Sequence, residues 1–183
     1  FQFKQFTVYH DLCAMKVGID GVLLGAWAPV DCSTERVLDI GTGSGLIALM
    51  LAQRSNAIID AVDLDVGAVR QAEINVAASD WNSRIMVHHQ SLQDFADKFK
   101  PVYDLIVSNP PYFRSSLKAP DEARNRARHA DTLTHEELLK YASGLLKTTG
   151  RICVILPVTE GLQCIKSAEK FNLYCYQCVY VYP

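Results

Sequence analysis

Ser108-Asn109-Pro110-Pro111-Tyr112 follows directly on an apolar run, Tyr103 to Val107. Proline donates no backbone hydrogen bond, fixes its own φ and drives the residue before it toward extended geometry. Strand pairing must stop here, leaving a stiff, extended turn at the strand's carboxyl end. In an open α/β sheet that edge is where ligands sit. An amide and an aromatic ring held on such a turn suit a flat, polar group. Taken alone, the motif is equally an ordinary turn at a strand end.

A second constellation lies upstream. Val37-Leu-Asp-Ile-Gly-Thr-Gly-Ser-Gly45 runs from an apolar strand into glycines and then an apolar helix. Gly41 and Gly43 allow a tight turn and let a ligand touch bare backbone. The spacing is G-x-G-x-G with Leu46 following, which departs from the G-x-G-x-x-G turn that cradles a pyrophosphate. Asp63 ends the next strand, 22 positions after Gly41, where a carboxylate can accept both hydroxyls of a ribose. Asp39, just before the glycines, can pair with a cationic ligand. A positively charged ligand that carries a ribose is S-adenosylmethionine.

The elements that must position these residues alternate regularly. Strands are expected at 36–40, 58–63, 85–89, 102–107 and 151–156. Helices are expected at 46–52 and 66–78, near 92–99, at 134–146 and at 160–170. The 66–78 helix has Val66, Val69, Ile74 and Val76 as its core face. Thr134 followed by Glu137 fits a capping box, and Gly150 is expected beyond that helix's end. Strict alternation of strand and helix predicts an α/β, parallel, doubly wound sheet with helices on both faces. One domain is expected, with residues 1–30 as an annex laid across the mouth of a core spanning 31–183. A short helix at 20–27 belongs to the annex. A last strand is expected at 173–182, with Tyr174, Tyr176, Tyr180 and Tyr182 half-buried on one face and Cys175, Val179 and Val181 on the other.

The composition, 49% hydrophobic and 21% charged, is that of a globular protein and excludes a disordered chain. No apolar run approaches the ~20 residues that span a bilayer, and no charged-then-apolar leader opens the chain. A cytoplasmic location is expected, with the six cysteines reduced and mostly buried. Cys175 and Cys178 have C-x-x-C spacing, but a strand would send them to opposite faces and no second pair completes a zinc site, so no metal is expected. A net charge of −2 gives no general attraction for nucleic acid. Any such binding must rest on a local patch.

Asp39-Ile-Gly-Thr-Gly-Ser-Gly45, Asp63 and Asn109-Pro-Pro-Tyr112 resemble the class I, S-adenosylmethionine-dependent N-methyltransferases, which have a Rossmann-like fold. Phe3-Lys-Gln-Phe6 and Met15 to Trp27 resemble the bacterial tRNA1(Val) adenine-37 N6-methyltransferase family in particular. The resemblance implies a cofactor site of Lys16, Asp20, Asp39, Gly41, Gly43, Asp63, Leu64, Ser91, Leu92 and Asn109, with residues 16–20 closing over it. Ser91-Leu92 stands where many such enzymes carry an acidic residue after the third strand. A further antiparallel strand is also implied, and it is expected to be missing after Pro183.

The implied catalytic residues are Asn109, Pro110, Pro111 and Tyr112. The Asn109 side-chain oxygen and the Pro110 carbonyl would each accept one hydrogen of an exocyclic amine, localising its lone pair. Tyr112 would stack on the base, worth ~1–3 kcal/mol. The same motif also serves methylation of glutamine amides in release factors, so it names the functional group and not the macromolecule.

The segment 113–132 carries Arg114, Lys118, Arg124, Arg126 and Arg128 against Asp121, Glu122 and Asp131, five cations to three carboxylates and hence +2. With Tyr112 and Phe113 it forms the expected contact with a tRNA substrate, where a phosphate backbone would run. A solvated charged loop is the plainer alternative. The expectation is a monomeric tRNA adenine N6-methyltransferase. The alternatives are a protein glutamine methyltransferase and an RNA-binding module with a vestigial cofactor pocket.

Overall fold

The computed structural model describes residues 1–98, 100–111 and 133–182. Its five strands are β1 Arg36–Ile40, β2 Ile58–Asp63, β3 Ile85–His89, β4 Tyr103–Ser108 and β5 Leu146–Val154. They form one sheet in the order β3-β2-β1-β4-β5, with every pairing parallel. The strand order reverses between β1 and β4, so their carboxyl ends flank the crevice where such sheets take ligands.

The central strands are apolar on both faces because both faces are covered. Val37, Leu105 and Val107 point into a core closed by α1 Ile19–Trp27, α2 Leu46–Arg54 and α3 Val66–Ala77. Leu38, Ile40, Val62 and Ile106 point the other way, against α4 Leu92–Ala96 and α5 His135–Leu145. The last helix, α6 Val158–Ala168, packs Cys164 and Ala168 against Leu139 of α5. No helix among the described residues is long and apolar enough to cross a membrane.

Several sequence expectations change. Gly150 lies beyond the helix's end as expected, but the strand expected to start at 151 begins earlier and contains it. α5 ends at Leu145 and β5 begins at once, with an irregular register in which Tyr103 pairs Leu146 and Leu105 pairs Arg151. A Cβ at Gly150 would lie 2.7 Å from the Tyr103 carbonyl, so glycine is what allows this close backbone approach.

Residues 173–182 form no strand, and Tyr174, Tyr176, Tyr180 and Tyr182 are exposed. Alternation alone does not make a strand where no neighbour pairs with it. Cys32, Cys175 and Cys178 are exposed, and only Cys13, Cys153 and Cys164 are buried. The inward face of α3 also differs. Val66 and Ile74 are exposed, whereas Gln71, Ala72 and Asn75 are buried. Two polar side chains on a helix's inward face require partners, and the annex supplies them.

Candidate cofactor and methyl-transfer site

The turn after β1 is built from three residues in left-handed backbone conformation, Gly41, Gly43 and Gly45, with φ of 70°, 58° and 80°. A side chain at Gly41 or Gly43 would be strained by φ alone, although the space beside both is open. That open space leaves bare backbone for a ligand. Gly45 serves packing instead, since its Cβ position lies 3.4 Å from the Cβ of Ala72 on α3. Gly41 and Thr42 donate backbone hydrogen bonds to the Val62 carbonyl (2.9 and 3.2 Å), tying the turn to the end of β2.

Asp39 and Asp63 frame this turn. Asp63 accepts the Gly43 N–H through Oδ2 (2.8 Å) and the Asp65 N–H through Oδ1 (2.9 Å). Each oxygen keeps a lone pair for a hydroxyl. Asp39 is fully buried. Its Oδ2 accepts the Thr42 hydroxyl (2.7 Å) and the Ala48 N–H (3.2 Å), while Oδ1 is buried with no hydrogen-bond partner. Burial, offset in part by those two bonds and reinforced by the nearby Asp63 charge, pushes its pKa up to about 7. A buried carboxylate with one unsatisfied oxygen calls for a cation. Asp39, the bare glycine backbone and Asp63 therefore fit a cationic ligand carrying a ribose.

β4 delivers the second half of the site beside the first. The Ser108 hydroxyl donates to the Ile40 carbonyl at 2.9 Å, locking the two strand ends together. Asn109 is half-buried, Pro110 buried and Pro111 exposed, and the peptide bonds among the described residues are trans. α1 comes close behind the amide: the Cβ position of Gly21 is 3.9 Å from Asn109 Nδ2 and 3.0 Å from Leu46 Cδ2. A Cβ at position 21 would crowd the Leu46 side chain and come into ordinary contact with the amide.

The remaining expected contacts are distributed unevenly. Lys16 turns back on its own loop, its ammonium donating to the carbonyls of His10 (3.0 Å) and Asp11 (3.5 Å). Asp20 lies in the first turn of α1. Leu64 is exposed, and His89 Nε2 sits 3.1 Å from its carbonyl. Ser91 caps α4, accepting the Asp94 N–H at 3.1 Å, and the Leu92 side chain is buried in the core beside Phe95. Tyr112, Phe113, Arg114, Lys118, Arg124, Arg126 and Arg128 lie outside the described residues. Groups not anticipated are Thr42, which hydrogen-bonds Asp39, and Asn75, which reaches the glycine turn through the Ser44 carbonyl at 2.8 Å. The signal for Asn75 was an amide on the helix face that must pack inward.

Residues 21–171 match the model of the methyltransferase small domain family. The chain belongs to this family. Relatives named tRNA1(Val) (adenine(37)-N6)-methyltransferase include that of Parabacteroides distasonis, 54% identical over 94% of this chain and 73% of its own length. That of Bacteroides fragilis is 57% identical over 95% and 73%, and that of Serratia proteamaculans 58% over 88% and 62%.

Solved structures with the same fold include a precorrin-8w decarboxylase from Methanobacterium thermoautotrophicum, with a TM-score of 0.60 at 17% identity, covering 91% of this chain and 78% of that one. Geranyl diphosphate C-methyltransferase from Streptomyces coelicolor has a TM-score of 0.55 at 14% identity, covering 75% and 43%. The family places S-adenosylmethionine as the methyl donor of this chain.

Proposed function

We propose that this chain transfers a methyl group from S-adenosylmethionine to N6 of an adenine in tRNA, at adenine 37 of a valine tRNA as in the names of its relatives. The observation that supports it is the junction of β1 and β4, where the Ser108 hydroxyl ties the end of the strand carrying Asp39, with its unsatisfied oxygen, to the strand end that leads into Asn109. The bound cofactor supplies a methyl group on a cationic sulfur. Asp39 balances positive charge, Asp63 accepts ribose hydroxyls, and Gly41 and Gly43 keep the turn bare. The Asn109 side-chain oxygen and the Pro110 carbonyl accept the two amine hydrogens and aim the nitrogen lone pair, which leaves most of the acceleration to orientation. No strong base is needed, since the proton can leave after transfer. Tyr112 stacks on the base, and the cations of 113–132 meet the phosphate backbone. An anticodon loop offers an adenine that is cheap to unstack.

The chain acts as a single domain and a monomer in the cytoplasm, without metal. The test is methyl transfer to undermodified bulk tRNA with nucleosides read by mass spectrometry. A gain of N6-methyladenosine is expected. Asn109→Ala should lower turnover by about 10³-fold, the scale of losing oriented hydrogen bonds to a reacting group, while cofactor affinity stays within about threefold. Unchanged turnover in that variant sinks the role of Asn109. Absence of transfer to tRNA, with cofactor bound, moves the substrate to a protein glutamine.

A further inference from the structure

One face of α3 carries Gly67, Gln71 and Asn75 at successive four-residue steps, so the three stack along a single stripe. The annex backbone lies along that stripe. Asn75 accepts the Tyr9 N–H at 3.0 Å and donates to the Tyr9 carbonyl at 2.7 Å and the Ser44 carbonyl at 2.8 Å. Gln71 accepts the Leu12 N–H at 3.1 Å. At Gly67 the Leu12 carbonyl passes so close that a Cβ would lie 2.6 Å from it. Both amides are 2% exposed, and these bonds tie Asn75 to the annex and the glycine turn and the Gln71 oxygen to the annex.

From Leu12 the chain continues past Cys13, whose thiol is pushed up by burial and then by the charges of Asp63 and Asp65, with Lys16 opposing. Cys13 thus lies within electrostatic reach of the Asp63 carboxylate. Val17 donates to His10 Nδ1 at 3.0 Å, closing the loop before it enters α1 and brings Gly21 near Asn109. One strap of backbone connects the glycine turn, Asp63 and the catalytic amide, and α3 is what fixes its course.

We propose that Gln71 and Asn75, with the clearance at Gly67, are positioning residues that hold residues 9–12 against the cofactor end of the sheet and thereby set cofactor affinity. The proposal rests on the reading of this end as the cofactor site. Its chemistry is asymmetric. Gln71 meets the annex as an acceptor, so Gln71→Glu keeps the bond to Leu12. Asn75 must donate twice, so Asn75→Asp loses both bonds to carbonyls and sets a carboxylate against them.

The test is calorimetric binding of S-adenosylhomocysteine, with amide hydrogen exchange at Tyr9 and Leu12 and a thermal melt of each variant. Wild type should bind saturably. Asn75→Asp should weaken binding about tenfold and speed exchange at Tyr9, and Gln71→Glu should stay within about twofold. Gly67→Ala covers the case in which Asn75→Asp fails to fold. The new Cβ meets a backbone carbonyl, so the melt should fall, and the displaced strap should also weaken binding by the folded protein about fivefold. A merely structural stripe predicts a lowered melt with unchanged affinity, and that result overturns the proposal. Absence of wild-type binding overturns the cofactor reading and the proposal together.

Discussion

Two buried carboxylates on neighbouring strands meet opposite fates. Asp60, midway along β2, is saturated. Arg36 Nη2, His88 Nε2 and the Tyr103 hydroxyl all lie 2.8 Å from its oxygens. Burial pushes its pKa up, yet the bonds from His88, Tyr103 and Arg36 outweigh burial and hold it below the ordinary carboxylate value. Asp39, at the carboxyl end of β1, has two partners on one oxygen and none on the other, and its pKa rises to about 7. Leu38 pairs Asp60 and Asp39 pairs Ala61, so the two groups are one residue apart in register and point to opposite faces of the sheet. Both Asp60 oxygens are satisfied within the fold, although Arg36 Nε beside them is buried without a hydrogen-bond partner. The unsatisfied Asp39 oxygen is the one that, on the proposed function, a cationic cofactor would balance.

The widest separation of the two should come from Asp60→Ala. It strands the Tyr103 hydroxyl and the Arg36 guanidinium, and breaking a buried pair by removing one member costs roughly 3–5 kcal/mol. Urea unfolding should show that loss, while the folded fraction binds cofactor with affinity within about twofold of wild type. Weakened binding in the folded fraction would break the comparison, because the cluster would then serve the site.

Asp39→Asn should do the opposite. A carboxyl whose folded pKa lies above its unfolded value holds more protons folded than unfolded across the interval. Its contribution to stability therefore falls as pH climbs from about 4 to about 7. Each pH unit of that interval is worth about 1.4 kcal/mol, so the neutral variant should gain on wild type by roughly 2–4 kcal/mol between pH 4 and pH 8. Urea melts of both proteins across that range measure the gain. Cofactor binding at pH 8 should weaken about 30-fold in the same variant, the loss of a charge-assisted contact. Equal pH profiles would show that Asp39 is ionised without cost.

Much of this frame was legible from residue type and period. The bounds of β1 and β2 coincide with apolar, β-branched runs closed by Gly41 and Asp63, because strands buried on both faces need nearly uninterrupted apolar sequence. Asp39, Gly41 and Asp63 stood out in the sequence because carboxylates and glycines at strand ends are residues that no apolar strand would choose, and the structure brings them together around one turn. Asp60 was not, since its three partners come from β1, β3 and β4, and only the sheet order brings them together. Gln71 and Asn75 were obscured by nearby valines and isoleucine, whose period suggested a different core face. The annex backbone reversed that face by supplying hydrogen-bond partners. Residues 173–182 carried a strand's alternation without a strand's neighbour, and pattern alone does not supply pairing.

The smallest effect belongs to a residue on neither side of the comparison. Thr134 heads α5, its hydroxyl accepting the Glu137 N–H at 3.1 Å while Glu137 Oε2 accepts the Thr134 N–H at 2.9 Å. Both side chains also meet directly at 2.7 Å, and all of these bonds are exposed. Thr134→Ala removes a cap, which costs about 1 kcal/mol and should lower the melting temperature by about 2–4 °C in a chain of this size. Cofactor affinity should not move, since the cap touches neither Asp39 nor the glycine turn. The bonds from the Thr134 backbone and then its side chain hold the Glu137 carboxyl below its ordinary value. The cap is therefore in full force above the unfolded carboxylate range and is lost as pH falls through the lowered one. Melts at pH 7 and at about pH 3 should show the wild-type advantage over Thr134→Ala shrinking toward acid. An advantage that grew instead would mean that the hydroxyl, without the carboxylate, carries the cap.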